Sequence, residues 1–265
     1  MTLKIEYTGT QQRMQKRIDH IVNWIQAYAT QHNIQSLVVG ISGGIDSAVV
    51  STLCAITGIK TFAVTMPIRQ APDQDDRSML HGKWLTDNFT NVGHCKFDLT
   101  YMFEQFERMM GDDDKLGLAN SRARLRMTTL YQLASMHKGI VVGTGNKVED
   151  FGVGFYTKYG DGGVDISPIG DCLKTEVWEM GKTLGIAQEI IDADPTDGLW
   201  DDGRTDEGQL GMTYEQLEEA MLINNEGVIA YDGEQLTRLH KFQEIQSANK
   251  HKMEPIPVCM GRRYH

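Results

Sequence analysis

The chain is poor in the residues that several chemistries require. Its four cysteines, Cys54, Cys95, Cys172 and Cys259, form no C-x-x-C pair, which leaves a zinc ribbon or a dithiol redox motif without support. Cys54 and Cys95 lie in apolar stretches and read as small core residues. Basic residues are outnumbered, with 26 Lys and Arg against 36 Asp and Glu, for a formal net charge of -10. That balance argues against a broad nucleic-acid or membrane face, yet it leaves room for a small basic pocket. No apolar run approaches the length of a membrane span, and the opening MTLKIEYTGTQQRMQKR lacks the hydrophobic segment of a secretory signal. No internal repeat or low-complexity linker interrupts the 265 residues. The expectation is a soluble, cytoplasmic protein with reduced thiols and neither a nucleic-acid nor a membrane partner.

A hydrophobic content of 40% suits one sizeable domain with its own core. Helical spacing of Ile18, Ile21, Val22, Ile25 and Tyr28 predicts a leading amphipathic helix over residues 17–32. From there apolar strands and helices alternate. SLVVGIS is followed by DSAVVSTLCAIT, KTFAVTMP by DQDDRSMLHGKWLTDNF, CKFDL by TYMFEQFERMM, and, after a polar break at GDDDKLGLAN, SRARLRMTTLYQLASMH by GIVVGTGN. This alternation predicts an α/β fold, a parallel sheet with helices on both faces. Two long loops follow, at residues 153–171 and 192–211. Loops of that length inside a compact domain are uncommon and often functional, and these can fold over the carboxyl ends of the strands, where open parallel sheets bind ligands. The tail, MTYEQLEEAM and EQLTRLHKFQEIQSANKHK, reads as helical.

The stretch VVGISGGIDSAVV places SGGIDS at a strand-turn-helix junction. Bare backbone N–H groups at a helix start make an anion site. Gly43 and Gly44 let the backbone approach the anion closely, and Ser42 and Ser47 add hydroxyls. The G-K-[ST] ending of the common phosphate loop is absent, and so is the dinucleotide G-x-G-x-x-G. Asp46 is the unusual element. A carboxylate beside a phosphate calls for a cation between them, and hard oxygen ligands suit magnesium on nucleotide phosphates. The plainer alternative is a carboxylate that stabilises a helix N-terminus.

SGGIDS resembles the S-G-G-x-D-S signature of the ATP pyrophosphatases of the adenine-nucleotide alpha-hydrolase fold. These cleave ATP between the α and β phosphates and transfer AMP to a carbonyl oxygen. The blocks RARLRM, VVGTGNKVED, FYTKYGDGGVDISP, LKTE, DPTDGL and KHKMEPIP follow in that order. Together they resemble the ammonia-dependent NAD synthetase family over nearly the whole chain, with TKYGDGG as the most specific element. The sequence departs from the family where GTGNKVE stands for the GTDHAAE of many bacterial members, and where KHKM stands for EHKR.

The resemblance implies one NAD synthetase domain over residues 1–265, with no glutaminase domain, and a homodimer. It implies ATP binding by Gly40, Ile41, Ser42, Gly43, Gly44, Ile45, Asp46, Ser47, Thr144, Lys174 and Thr196. Magnesium would be held by Asp46 and Glu149, and deamido-NAD by Arg124, Lys158, Asp165, His251 and Lys252. Asp46, Lys174 and Asp161 are the expected catalytic groups, with Asp161 placed to orient ammonia or take its proton. Each has a plainer reading: an acid on a short helix for Glu149, a surface lysine for Lys174, an Asp-Gly turn for Asp161, a turn or helix cap for Thr196. Arg122 and Arg126 share one helix face and Arg124 points away from it. The first two are expected on a solvated or salt-bridged face. The implied reaction is ATP-dependent amidation of deamido-NAD by ammonia through an acyl-adenylate. A tRNA-modifying enzyme and a non-catalytic nucleotide-binding module are the alternatives. The first needs a basic RNA surface, and the second binds ATP without turnover.

Overall fold

A computed structural model describes residues 9–200, 202–226 and 232–261. The opening residues 1–8, read above for a signal segment, lie outside the described residues. Helix α1 (Gly9–Gln31) leads into β1 (Ser36–Gly40), α2 (Ile45–Ile56), β2 (Lys60–Thr65), α3 (Pro72–Asn88) and β3 (Val92–Lys96). Helices α4 (Thr100–Met110) and α5 (Lys115–Met136) come next, then β4 (Gly139–Val141). The four strands form a parallel sheet in the order β3-β2-β1-β4. Both expectations, a parallel sheet and helices on either face, hold.

The strands alternate their side chains between the two faces, as the period of two requires. Leu37 and Val39 of β1 pack under Ile18, Ile25, Val49 and Leu53 of α1 and α2. Val38, one residue out of phase, packs with Phe103, Met127 and Leu130 of α4 and α5 on the opposite face. Every strand therefore delivers its carboxyl end to the same edge, with α2 on one side and the first half of α5 on the other.

Beyond β4 the chain makes a π-helical turn (Lys147–Val153), then α6 (Lys174–Leu184), α7 (Gln188–Ile191), α8 (Asp206–Leu210), α9 (Tyr214–Glu226) and α10 (Gly233–Met253). A separate apolar cluster joins Val148 and Val153 of the π-turn to Tyr214, Leu217 and Phe242 of α9 and α10. Trp178 of α6 packs against both this cluster and the α1–α2 core. The tail is thus docked onto the segment that follows β4. Among the described residues no helix is long and apolar enough to cross a membrane.

Several boundaries differ from the sequence reading. The third strand runs over Val92–Lys96, not 95–99, because parallel pairing with β2 sets its register from Thr61↔Val92 to Thr65↔Lys96. Leu99, whose apolar character extended the reading, instead enters the core just before α4, its N–H bonded to the Pro67 carbonyl at 2.9 Å. The polar break after α4 is shorter than expected. Asp114 caps α5 by accepting from Gly117 N at 2.8 Å, so the helix starts at Lys115. The first long loop begins inside the π-turn, and the second contains α8.

Candidate active site

The glycine turn leaves the carboxyl end of β1. Ile41 N still donates to Val64 O at 2.9 Å, so the turn starts from a strand that is fully paired with β2. Gly43 has a φ of 88°, and a Cβ there would lie 2.5 Å from the Gln74 carbonyl oxygen of α3. Only glycine meets both conditions. Gly44 caps α2 with extended backbone, and α2 begins at Ile45. The two serines hold the turn closed. Ser47 Oγ accepts from Ser42 N at 3.1 Å, donates to Gly44 O at 3.0 Å and lies 3.1 Å from Ser42 Oγ. Their hydroxyls therefore shape the loop as well as line it.

Across the pocket three distant segments meet. Lys174, the first residue of α6, is 2% exposed, and its ammonium donates to Asp46 Oδ2 at 2.6 Å and to Glu149 Oε1 at 2.9 Å. Asp46 comes from the first turn of α2 and Glu149 from the π-turn. Asn146 joins them, donating to Asp46 Oδ1 at 3.2 Å while its own carbonyl oxygen caps Val148 N and Glu149 N at 3.1 Å each. Two carboxylates share one cation, so they titrate unequally. Burial, joined by repulsion from Glu149, raises Asp46 above its ordinary value despite Lys174. Burial also opposes ionisation of Glu149, but Lys174 and the Tyr214 hydroxyl overcome it and hold that carboxyl low. Lys174 itself is raised, because the attraction of both acids outweighs its desolvation.

One pocket is lined by the whole turn from Gly40 to Ser47 and by Thr144, Glu149, Asp161, Lys174 and Thr196. The residues assigned by resemblance to ATP and magnesium, together with Asp161, are therefore gathered in one place. Two of the plainer readings hold at the same time. Thr196 Oγ accepts from Gly198 N at 3.2 Å, and Asp161 Oδ1 accepts from Thr157 N at 3.1 Å in an Asp-Gly turn. Burial pushes the Asp161 carboxyl up to about 6.

None of the five residues assigned to deamido-NAD lines that pocket. Arg124 lines a second, shallower pocket with Tyr131 and Tyr159, and its Nε donates to Lys158 O at 3.3 Å. Lys158 Nζ reaches His251 O at 3.1 Å, and Lys252 Nζ reaches Tyr156 O at 2.8 Å, which ties the end of α10 to the glycine-rich loop. Asp165 is turned toward the fold, accepting from Val141 N at 2.8 Å and from the Tyr131 hydroxyl at 3.1 Å.

The expectation of a solvated face for Arg122 and Arg126 is overturned. They do share a face, but it points inward. Arg122 is 6% exposed, with its guanidinium 4.7 Å above the Phe103 ring. Arg126 lines the main pocket, donating to Met66 O at 3.0 Å and to Gln70 Oε1 at 2.9 Å, and burial together with Arg122 lowers it to about 10. Sequence spacing shows which residues share a helix face and not what covers that face. Three further groups escaped the sequence reading. Asp150 lines the pocket next to Glu149, and burial, then Glu149, raises it well above the ordinary value. Asp206, in the acidic second loop, is 5% exposed, and burial followed by Glu149 raises it to about 7. Tyr214 is fully buried at the start of α9 and donates to Glu149 Oε1 at 2.6 Å. The acid-rich loop was a usable signal for Asp206. Tyr214 looks like any core aromatic.

Comparison with known proteins supplies the family. The family model for NAD synthase matches residues 17–256. The NH(3)-dependent NAD(+) synthetase of Carboxydothermus hydrogenoformans is 35% identical over 254 residues, covering 92% of this chain and 98% of the relative. Among solved structures, the NMN synthetase of Francisella tularensis superposes with a TM-score of 0.81 at 28% identity, over 98% of this chain and 100% of the other. The NH3-dependent NAD synthetase of Campylobacter jejuni does so at 0.76 and 24% identity, over 93% and 99%, a likeness of fold. The glycine turn, the strand order and a match that spans most of the chain lead to one conclusion: this chain belongs to the NAD synthase family.

Proposed function

We propose that the chain converts deamido-NAD to NAD by ATP-dependent amidation with ammonia. The observation that carries this reading is the meeting of Asp46, Glu149 and Lys174 beside the glycine turn, in a chain that spans 98% of an ammonia-dependent relative. The backbone donors of the turn and the start of α2 receive the triphosphate, with Thr144 and Thr196 on the same pocket wall. Asp46 and Glu149 meet at the Lys174 ammonium, and among the described residues no third acid, His or Cys joins them as a metal group. Two hard carboxylates that leave the other positions to phosphate and water fit magnesium. Bound there, it would screen phosphate charge.

The reaction runs in two steps. The nicotinate carboxylate attacks the α-phosphorus, the bond to the α–β bridging oxygen breaks, and pyrophosphate leaves an acyl-adenylate. Ammonia then adds to the acyl carbon, AMP departs with its oxygen, and a proton is lost to give the amide. Lys174 offsets charge on the departing pyrophosphate. Asp161, with its raised pKa, orients ammonia or takes its proton. Arg124, Lys158, Asp165, His251 and Lys252 form the side to which deamido-NAD binds. Both loops exclude water from the adenylate. Exposed Tyr101, Met102, Met109 and Met110 on α4 and Leu116 on α5 offer an apolar face for a second copy in a homodimer. The absence of disulfides among the four cysteines suits a cytoplasmic enzyme.

The Francisella superposition favours a second reading, in which the acceptor is nicotinate mononucleotide and the product NMN. One assay separates the two. Protein, magnesium and ATP are mixed with either nucleotide, with ammonium or glutamine in parallel, and the amide, AMP and pyrophosphate are followed. NAD formed with ammonium alone, in equal yield with AMP and pyrophosphate, is the expected result. NMN formed in preference would transfer the same chemistry to the smaller acceptor. AMP without either amide would refute both.

A further inference from the structure

Tyr214 is 0% exposed, and its ring meets Trp178 edge-on at 5.7 Å. Packing of that kind is served equally well by phenylalanine. The hydroxyl is what requires explanation, because it is buried among charges. It lies 2.6 Å from Glu149 Oε1 and 3.3 Å from Asp206 Oδ2. A phenol has one proton, and the shorter contact claims it. The result is a charge-assisted hydrogen bond to Glu149. The ring face also lies 4.7 Å from the Lys174 ammonium, within cation–π range.

The two carboxylates are held in parallel ways. Asp46 receives Lys174 and the Asn146 amide, on opposite oxygens. Glu149 receives Lys174 and Tyr214 on the same oxygen, Oε1. Asn146 also acts on Glu149 as a side-chain donor, so Tyr214 is one of three groups that fix this carboxylate. Glu149 also sits on a π-turn, a short element that needs support from its neighbours. Asp206 Oδ1 has no partner, and Asp206 meets this cluster through its Oδ2 on the Tyr214 hydroxyl and through charge.

We infer that Tyr214 is a positioning residue for Glu149, holding Oε1 and the Lys174 ammonium in place so that the carboxylate faces a divalent cation on the nucleotide. This rests on the reading of Asp46 and Glu149 as the cation-holding pair. Outer hydrogen-bond partners of metal ligands are worth about 10–100-fold in metal affinity or activity.

The test is Mn2+ binding, followed by electron paramagnetic resonance in the presence of a non-hydrolysable ATP analogue, on wild type, Tyr214→Phe and Glu149→Gln. Both variants should bind Mn2+ at least about tenfold more weakly. Tyr214→Phe should also lower kcat by a similar factor without moving the KM for deamido-NAD. A wild-type affinity in Glu149→Gln would overturn the cation reading and this inference with it. A loss in Glu149→Gln alone would overturn only the inference, and so would a Tyr214→Phe protein that melts earlier yet binds Mn2+ normally. Should Tyr214→Phe fail to fold, a crystal structure of wild type with Mg2+ and the analogue decides. Tyr214 Oη within hydrogen-bond distance of Glu149 supports the role, and separation of the two refutes it.

Discussion

The two halves of the pocket are assembled in opposite ways. The glycine turn is local: eight consecutive residues, Gly40 to Ser47, with Ser42 and Ser47 bonded across five positions. The charge cluster, which takes Asp46 from the end of that turn, is assembled from four separate segments, since Asp46 and Lys174 are 128 residues apart and Glu149 and Tyr214 are 65 apart. A local turn needs only the right residues in order. A dispersed cluster needs the α2, α6, α9 and π-turn packing to be correct first, and its buried charges penalise any error. The turn should therefore tolerate change wherever backbone space allows, and the cluster should not.

The largest effect tests that asymmetry directly. Lys174→Met leaves the partly buried Asp46 and Glu149 without their cation, and since breaking a buried pair from one side costs roughly 3–5 kcal/mol, the loss should approach the lower end of that range. Urea unfolding of the apoprotein measures it, with a parallel collapse in turnover. Wild-type stability in this variant would mean that the cluster is not the fragile half.

Next comes the support beneath the turn. His81 is 3% exposed and lies 2.9 Å from Ser51 Oγ of α2, and burial lowers it to about 4. Its folded pKa lies below the unfolded 6.5, so its contribution is complete above pH 6.5 and is lost as pH falls toward 4. The loss approaches about 3 kcal/mol. His81→Gln should flatten that part of the acid limb in a plot of stability against pH, and an unchanged limb would remove His81 from the account.

The smallest effects lie within the turn itself. Gly43→Ala combines positive φ with a Cβ 2.5 Å from a backbone oxygen and should cost about 1–3 kcal/mol and weaken ATP binding. At Gly44 the backbone is extended and the nearest atom to an added Cβ is Ser42 Oγ at 3.5 Å. Gly44→Ala should change stability by less than about 1 kcal/mol. Chemical denaturation and ATP titration of the two variants side by side would show the contrast, and equal losses would erase it.

Much of the fold was legible because period-two strands and period-3.6 helices alternate so regularly. The pocket residues at the ends of β1 and β4 were legible for the same reason, as strand ends converge on one edge. What escaped depended on partners. The register of β3 follows from β2, the inward face of Arg122 and Arg126 follows from α4 and the loop after β2, and the capped start of α5 lengthened a helix that the polar run concealed.

The sequence by itself determined the order of the strands and the helices between them and the glycine turn at the start of α2, since these arise from interactions within a dozen residues. Only the tertiary structure decided that one lysine serves two carboxylates, that Asp165 braces β4, and that a core-like tyrosine holds Glu149. The physical reason is range. Backbone geometry is set by neighbours in the chain, whereas the environment of a buried charge is set by whichever distant segments exclude water from it.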